Sequence, residues 1–176
     1  MKKLILIIFI LGFYIQLYSQ VPQGTIDNKQ GNTLLNFGLG ASNIGVPFYL
    51  QGEHFIYREL TLGAETRLLV NREVHVGNKY QHTMISLGCF SNYYFDKLLE
   101  LPVCMDLYAG ASAGYVLLTQ TKSYSNVLYT GNRASGLYLD VHVGSRYYFS
   151  NRWAAQLELE VGLMFSGLKI GATYRI

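Results

Sequence analysis

Apolar and polar residues alternate with a period of two along most of the chain beyond residue 33. At the far end Leu168, Ile170, Ala172, Tyr174 and Ile176 alternate with Lys169, Gly171, Thr173 and Arg175. The preceding stretch sets Ala155, Leu157, Leu159, Val161 and Leu163 against Gln156, Glu158, Glu160 and Gly162. Leu137, Leu139, Val141, Val143, Tyr147 and Phe149 oppose Tyr138, Asp140, His142, Gly144, Arg146 and Tyr148, with Ser145 breaking the apolar set. The same division runs through Val103 to Tyr115, Ile85 to Phe95 and Leu60 to Leu68, and more weakly through Leu35 to Ala41 and Phe48 to Glu53. Such alternation places the two sets on opposite faces of a strand. It predicts eight strands, at about 33–42, 46–56, 60–70, 81–95, 101–118, 136–149, 153–163 and 167–176.

The predicted connections alternate in kind. Tyr57 to Glu59, Asp96 to Glu100 and Ser150 to Arg152 are tight turns, whereas Asn71 to Tyr80 and Thr119 to Ser135 read as long polar loops. Asn43 to Gly45 and Met164 to Ser166 are short loops at that second end. Short turns at one end and longer loops at the other predict an all-β fold, an eight-stranded antiparallel up-and-down transmembrane β-barrel.

A soluble barrel would carry the same period with its apolar face turned inward, so composition must arbitrate. The 176 residues are 50% apolar and only 14% charged, against roughly a quarter charged in ordinary soluble domains. The polar set holds many Gly, Ser and Tyr but one Lys, Lys169, whereas a water-facing sheet uses Lys and Glu heavily. With the apolar set toward lipid, Glu53, Glu65, Asp106, Asp140, Glu158 and Glu160 point inward with Arg67, Arg146, Lys169, Arg175 and His142, forming a structural lumen network. Arg146 and Glu158 are expected to meet across neighbouring strands joined by a short turn. Eight strands enclose an interior that side chains can fill, which favours a plugged lumen over a channel.

At the other end of the chain, Lys2 and Lys3 precede an unbroken apolar run from Leu4 to Ile15, too short for a membrane helix. Residues 1–19 are expected to be a cleaved export signal, 20–32 a short extension and 33–176 the barrel. The net charge of +3 falls to +1 once Lys2 and Lys3 are gone, because twelve bases then face 11 acids. No basic cluster remains for nucleic acid. Cys89 and Cys104 fall on opposite faces of adjacent predicted strands, where a disulfide through the wall is not expected.

The chain resembles the small eight-stranded outer-membrane barrel family, the OmpA/OmpX-like and opacity-type proteins, nearest the short versions of Bacteroidota. The likeness spans about 33–176. It is carried by Leu107-Tyr108-Ala109-Gly110-Ala111-Ser112-Ala113-Gly114-Tyr115, Val143-Gly144-Ser145-Arg146-Tyr147-Tyr148-Phe149, the stretch Gln156 to Gly162, and Ile170 to Ile176. The resemblance implies location in a bacterial outer membrane, contact with its lipid and lipopolysaccharide, and delivery by the outer-membrane assembly machinery. Family barrels usually end in Phe; Ile176 departs from that.

Candidate chemistry is sparse. Ser112, Asp140 and His142 share the inward face, with Ser112 and His142 expected to lie opposite each other, but no oxyanion donor accompanies them. A hydrogen-bonded lumen is favoured over catalysis, and Gly144 stands where lipid A deacylases carry the Ser of a His-x-Ser pair. His75 and His82 with Glu73 match no metal-ligand spacing. Arg72, Lys79, Lys122 and Arg133, with Tyr124 and Tyr129, form a mildly positive rim suited to lipopolysaccharide phosphates or an extracellular ligand. The expectation is a non-enzymatic structural or surface-interaction barrel without a cofactor or metal. A lipid-modifying outer-membrane enzyme and a soluble periplasmic ligand-binding barrel are the alternatives.

Overall fold

A computed structural model of the chain describes residues 31–43, 45–75, 78–122 and 135–176. The expected export signal and the expected extension, as far as residue 30, lie outside the described residues. Eight strands follow in order: β1 Thr33–Ser42, β2 Phe48–Tyr57, β3 Leu60–His75, β4 Asn78–Tyr94, β5 Met105–Lys122, β6 Gly136–Tyr148, β7 Trp153–Gly162 and β8 Ser166–Arg175. Each is antiparallel to its neighbours, and β1 pairs with β8 from Leu34↔Arg175 to Ser42↔Gly167, closing the barrel. Closure gives every edge strand a partner, the condition for a sheet to stand in a solvent that cannot satisfy backbone groups.

The alternation fixes which way each strand faces. In β7, Ala154, Gln156, Glu158 and Glu160 are buried while Trp153, Ala155, Leu157, Leu159 and Val161 are exposed, and β6 repeats this from Leu137 to Tyr148. The outer wall is therefore the apolar one. Leu137 is 77% exposed, Val141 62% and Ile170 60%, whereas Arg146, Glu158 and Lys169 are each 1% exposed. An apolar band continuous around a barrel far exceeds the patches that soluble monomers tolerate. At the turn end the band finishes in exposed Tyr57, Tyr93, Phe149 and Trp153. Tyr93 stacks edge-on with Phe95 and Trp153 lies 4.9 Å from Tyr174, an aromatic belt of the kind found at bilayer interfaces.

Four strand ends differ by three residues or more from those the sequence predicts: the end of β3, the start of β4 and both ends of β5, which continues to Lys122 through what reads as the start of the Thr119 to Ser135 loop. Asn71 to Tyr80 is a continuation of β3 and β4, paired from Asn71↔His82 to His75↔Asn78, and not a long loop. Polar residues at both parities read as loop, yet a backbone ladder itself requires no apolar face. Among the described residues, β3 has no β2 partner beyond Phe48↔Leu68, and β5 has no β6 partner beyond Val116↔Gly136. The tops of β3, β4 and β5 thus project as a three-stranded extension. At the other end β5 begins at Met105 rather than 101, because Pro102 has no N–H for the ladder and its carbonyl accepts from Met105 N in a turn. Cys89 is exposed on β4 opposite Ala113, while Cys104 is buried in the turn before β5.

Candidate functional site

The inward faces bring the predicted charged residues into one lumen. Glu53, Glu65, Arg67, Asp106, Asp140, His142, Arg146, Glu158, Glu160 and Lys169 are all buried, and Arg175 is half-buried with its guanidinium 4.5 Å from the Tyr148 ring centre. Eight of them form two groups.

The group nearer the turn end centres on Glu53 of β2. Its carboxylate accepts from Asn36 Nδ2 at 2.9 Å, Thr61 Oγ1 at 2.8 Å, and Asn92 Nδ2 and Tyr94 OH at 3.0 Å each. Arg146 of β6 donates to Glu53 and to Tyr94 OH, and its guanidinium lies 4.4 Å from the Tyr108 ring centre. Five strands thus meet at one carboxylate: β1, β2, β3, β4 and β6. The expected Arg146–Glu158 pair does not form. The ladder sets Arg146 opposite Gln156 and Glu158 opposite Gly144, and Arg146 reaches across the lumen to Glu53 instead.

The group nearer the loop end holds Glu65, Arg67, Asp140, Glu158, Glu160 and Lys169. Arg67 bridges Glu65 at 2.8 Å, Glu160 at 3.0 Å and Asp140 at 3.3 Å. Lys169 bridges Glu158 at 2.8 Å, Glu160 at 2.9 Å and Glu65 at 3.6 Å. Tyr138 OH donates to Glu65 at 2.7 Å and Tyr108 OH to Glu158 at 2.8 Å. Tyr108 joins the two groups, since its ring packs on Arg146 while its hydroxyl serves Glu158.

Apolar layers bound these charges, and sequence reasoning missed them. Leu34, Phe55, Tyr94 and Tyr108 cluster toward the turn end; Leu69, Met84, Val116, Tyr138 and Phe165 cluster toward the loop end. Phe165 comes from the β7–β8 connection and lies 4.4 Å from the Arg67 guanidinium. Apolar residues falling on the polar parity near strand ends, as in the run Leu68-Leu69-Val70, were the available signal. Nothing local marks Phe165 as inward.

Glycine makes the crowding possible. A Cβ at Gly144 would collide with the Tyr108 ring, and one at Gly162 with the Asp140 carboxylate. Ser112 and His142 do not face each other as expected: Ser112 pairs with Asp140, and His142 with Gly110 and Glu160. His142 Nε2 sits 2.6 Å from Asn92 Oδ1, so its ring is held by an amide and not by a serine. Of the predicted rim, Arg72 lies on β3, Lys79 on β4 and Lys122 ends β5; Tyr124, Tyr129 and Arg133 lie outside the described residues. Glu73 and His75 are on β3 and His82 on β4.

No family model matches the chain, and no curated protein matches it. Solved structures do. The outer membrane protein OprG from Pseudomonas aeruginosa is similar with a TM-score of 0.64 at 9% identity, over 85% of this chain and 97% of that one. The N-terminal β-barrel domain of Pseudomonas aeruginosa OprF gives 0.56 at 16% identity, over 84% and 98%. A de novo designed transmembrane β-barrel gives 0.53 at 14%, over 86% and 100%. A designed chain reaches the same architecture, so the likeness speaks for fold and leaves function to the residues. This chain has the closed eight-stranded antiparallel up-and-down fold of small outer-membrane barrels.

Proposed function

We propose that the protein is an integral bacterial outer-membrane barrel, delivered after cleavage of residues 1–19. In this reading its lumen is a packed, non-conducting network and its work is done at the cell surface. The carrying observation is the inversion of the wall: apolar side chains are exposed on the outward face of every strand while ten Asp, Glu, Arg, Lys and His side chains are buried inside. In water that arrangement would leave the band uncovered; in lipid the wrong register would expose an Arg or Lys at about 2–4 kcal/mol near the midplane. The extension of β3, β4 and β5, bearing Arg72, Lys79 and Lys122, would meet lipopolysaccharide phosphates or an extracellular ligand.

Unboiled protein should migrate differently from boiled protein in a detergent gel and leave membranes only with detergent. A monodisperse detergent-free protein would overturn membrane insertion in favour of a soluble binder. Planar bilayers should show no steady conductance; open-channel currents would overturn the packed lumen.

A further inference from the structure

The loop-end charge group holds more acids than bases. Glu65, Asp140, Glu158 and Glu160 are buried there, and the cations in ion-pair contact with them among the described residues are Arg67 and Lys169. Four carboxylates against two cations would leave two negative charges in excess between the apolar layers. A buried carboxyl without a matching cation takes up a proton instead of staying charged.

The contacts single out one carboxyl. Glu65 receives Arg67 at 2.8 Å, Lys169 at 3.6 Å, Tyr138 OH at 2.7 Å and Gln51 Nε2 at 3.2 Å. Glu158 receives Lys169 and Tyr108 OH at 2.8 Å each and Gln156 Nε2 at 3.3 Å. Glu160 receives Lys169 at 2.9 Å and Arg67 at 3.0 Å. Asp140 has Arg67 alone, at 3.3 Å from Oδ2, the longest of the three Arg67 bridges. Its Oδ1 lies against Gly162 and has no hydrogen-bond partner, although Asp140 is 3% exposed.

The strands around Asp140 supply no further cation to it. β3 brings Arg67 and Glu65, β7 brings Glu158 and Glu160, and β8 brings Lys169, which lies 5.7 Å from the Tyr49 ring centre of β2. On β5 the uncharged Ser112 stands opposite, with Tyr108 further along the strand. At this level β4 presents Ser86, Gly88 and Phe90, none of them ionisable. On β6 itself Tyr138 donates to Glu65, and His142 meets Asn92 through Nε2.

We propose that the folded barrel keeps one proton on Asp140, which makes the loop-end group a pH-sensitive latch. This rests on the packed-lumen reading, because water in an open lumen would solvate the fourth carboxylate. A free Asp ionises near pH 4, at about 3.9. Above that pH the folded barrel holds one proton more than the unfolded chain, so its stability falls as pH rises until the folded barrel releases the proton. The folding equilibrium changes by about tenfold per pH unit within that window. Release sets a fourth negative charge beside Arg67, whose guanidinium also carries Phe165 at 4.4 Å, so the weakening falls on the layer that closes the loop end.

The test is urea unfolding of the full protein in detergent from about pH 4 to about pH 9, wild type against Asp140→Asn, whose amide mimics the neutral acid. His142 is common to both proteins, so the difference between them isolates Asp140. Asp140→Asn should assemble, and the stability of the wild type relative to it should fall with rising pH. A relative stability that is flat or rises from about pH 4 upward would overturn the proposal, since an ionised, ion-paired Asp140 contributes in full above the unfolded value. Should Asp140→Asn fail to assemble, infrared spectra of the folded barrel with isotope-labelled aspartate, and with Asp106 replaced by Asn, decide at about pH 5. A protonated-carboxyl band from aspartate is expected, and its absence would overturn the proposal. Planar-bilayer currents test the packed lumen separately. A flat difference in a silent barrel sinks the retained proton alone; a falling difference in a conducting barrel sinks the packed lumen alone.

Discussion

Replacing Arg146 by Met removes the cation from the carboxylate that five strands converge on and leaves Glu53 buried without its ion partner. Breaking a buried pair from one side costs about 3–5 kcal/mol. Glu53 would keep its four neutral donors, Asn36, Thr61, Asn92 and Tyr94, which argues for the lower end of that range. Loss of the guanidinium from the Tyr108 ring adds about 1 kcal/mol, giving about 4 kcal/mol in all. The paired change Arg146→Met with Glu53→Gln removes both charges and should recover about half of the loss, because the amide oxygen can still accept from Thr61, Asn92 and Tyr94 while the acceptor for Asn36 is lost. Urea unfolding in detergent, followed by the gel-mobility difference between folded and unfolded barrel, reads both values. A single mutant within about 0.5 kcal/mol of wild type, the scatter typical of surface substitutions, would show that Glu53 is hydrated and that the lumen is not dry.

Other consequences separate this geometry from its alternatives. A double-mutant cycle on Arg146 and Glu158 should give less coupling than one on Arg146 and Glu53, since the first pair is linked only indirectly, through Tyr108 and Gln156; unfolding midpoints of the four variants decide it. Gly144→Ala should destabilise by about 1–3 kcal/mol as the Tyr108 ring is displaced, whereas Gly52→Ala, which meets open space, should be neutral in the same assay. Phe165→Ala should cost about 3–5 kcal/mol by opening the apolar layer over Arg67; a value near zero would mean that the β7–β8 connection does not pack inward in the membrane.

The alternation made the barrel legible, since a single parity sorted Leu157, Leu159 and Val161 from Glu158 and Glu160 without knowledge of any partner strand. Ten of the eleven residues assigned to the inward parity are buried and Arg175 is half-buried. Pairings across the lumen were not legible. Arg146 finds Glu53, 93 positions away, through barrel curvature that no local pattern encodes. The register of β5 against β6 was displaced by two residues, which set Ser112 against His142 instead of Asp140; a long connection leaves register to side-chain packing. The extension of β3 and β4 was hidden because the hydrophobic alternation ends near Val70, although the hydrogen-bond ladder continues to His75↔Asn78.

The orientation of the wall is the claim on which the rest depends, and Cys89 offers a native probe of it, exposed on the outward face of β4 between Ala64 and Ala113. With buried Cys104 replaced by Ser, a nitroxide on Cys89 in reconstituted lipid vesicles can be tested against oxygen, which concentrates in hydrocarbon, and a polar nickel chelate, which does not. The account predicts frequent collisions with oxygen and almost none with the chelate. Ready access of the chelate to Cys89 would place the apolar wall in water and contradict it.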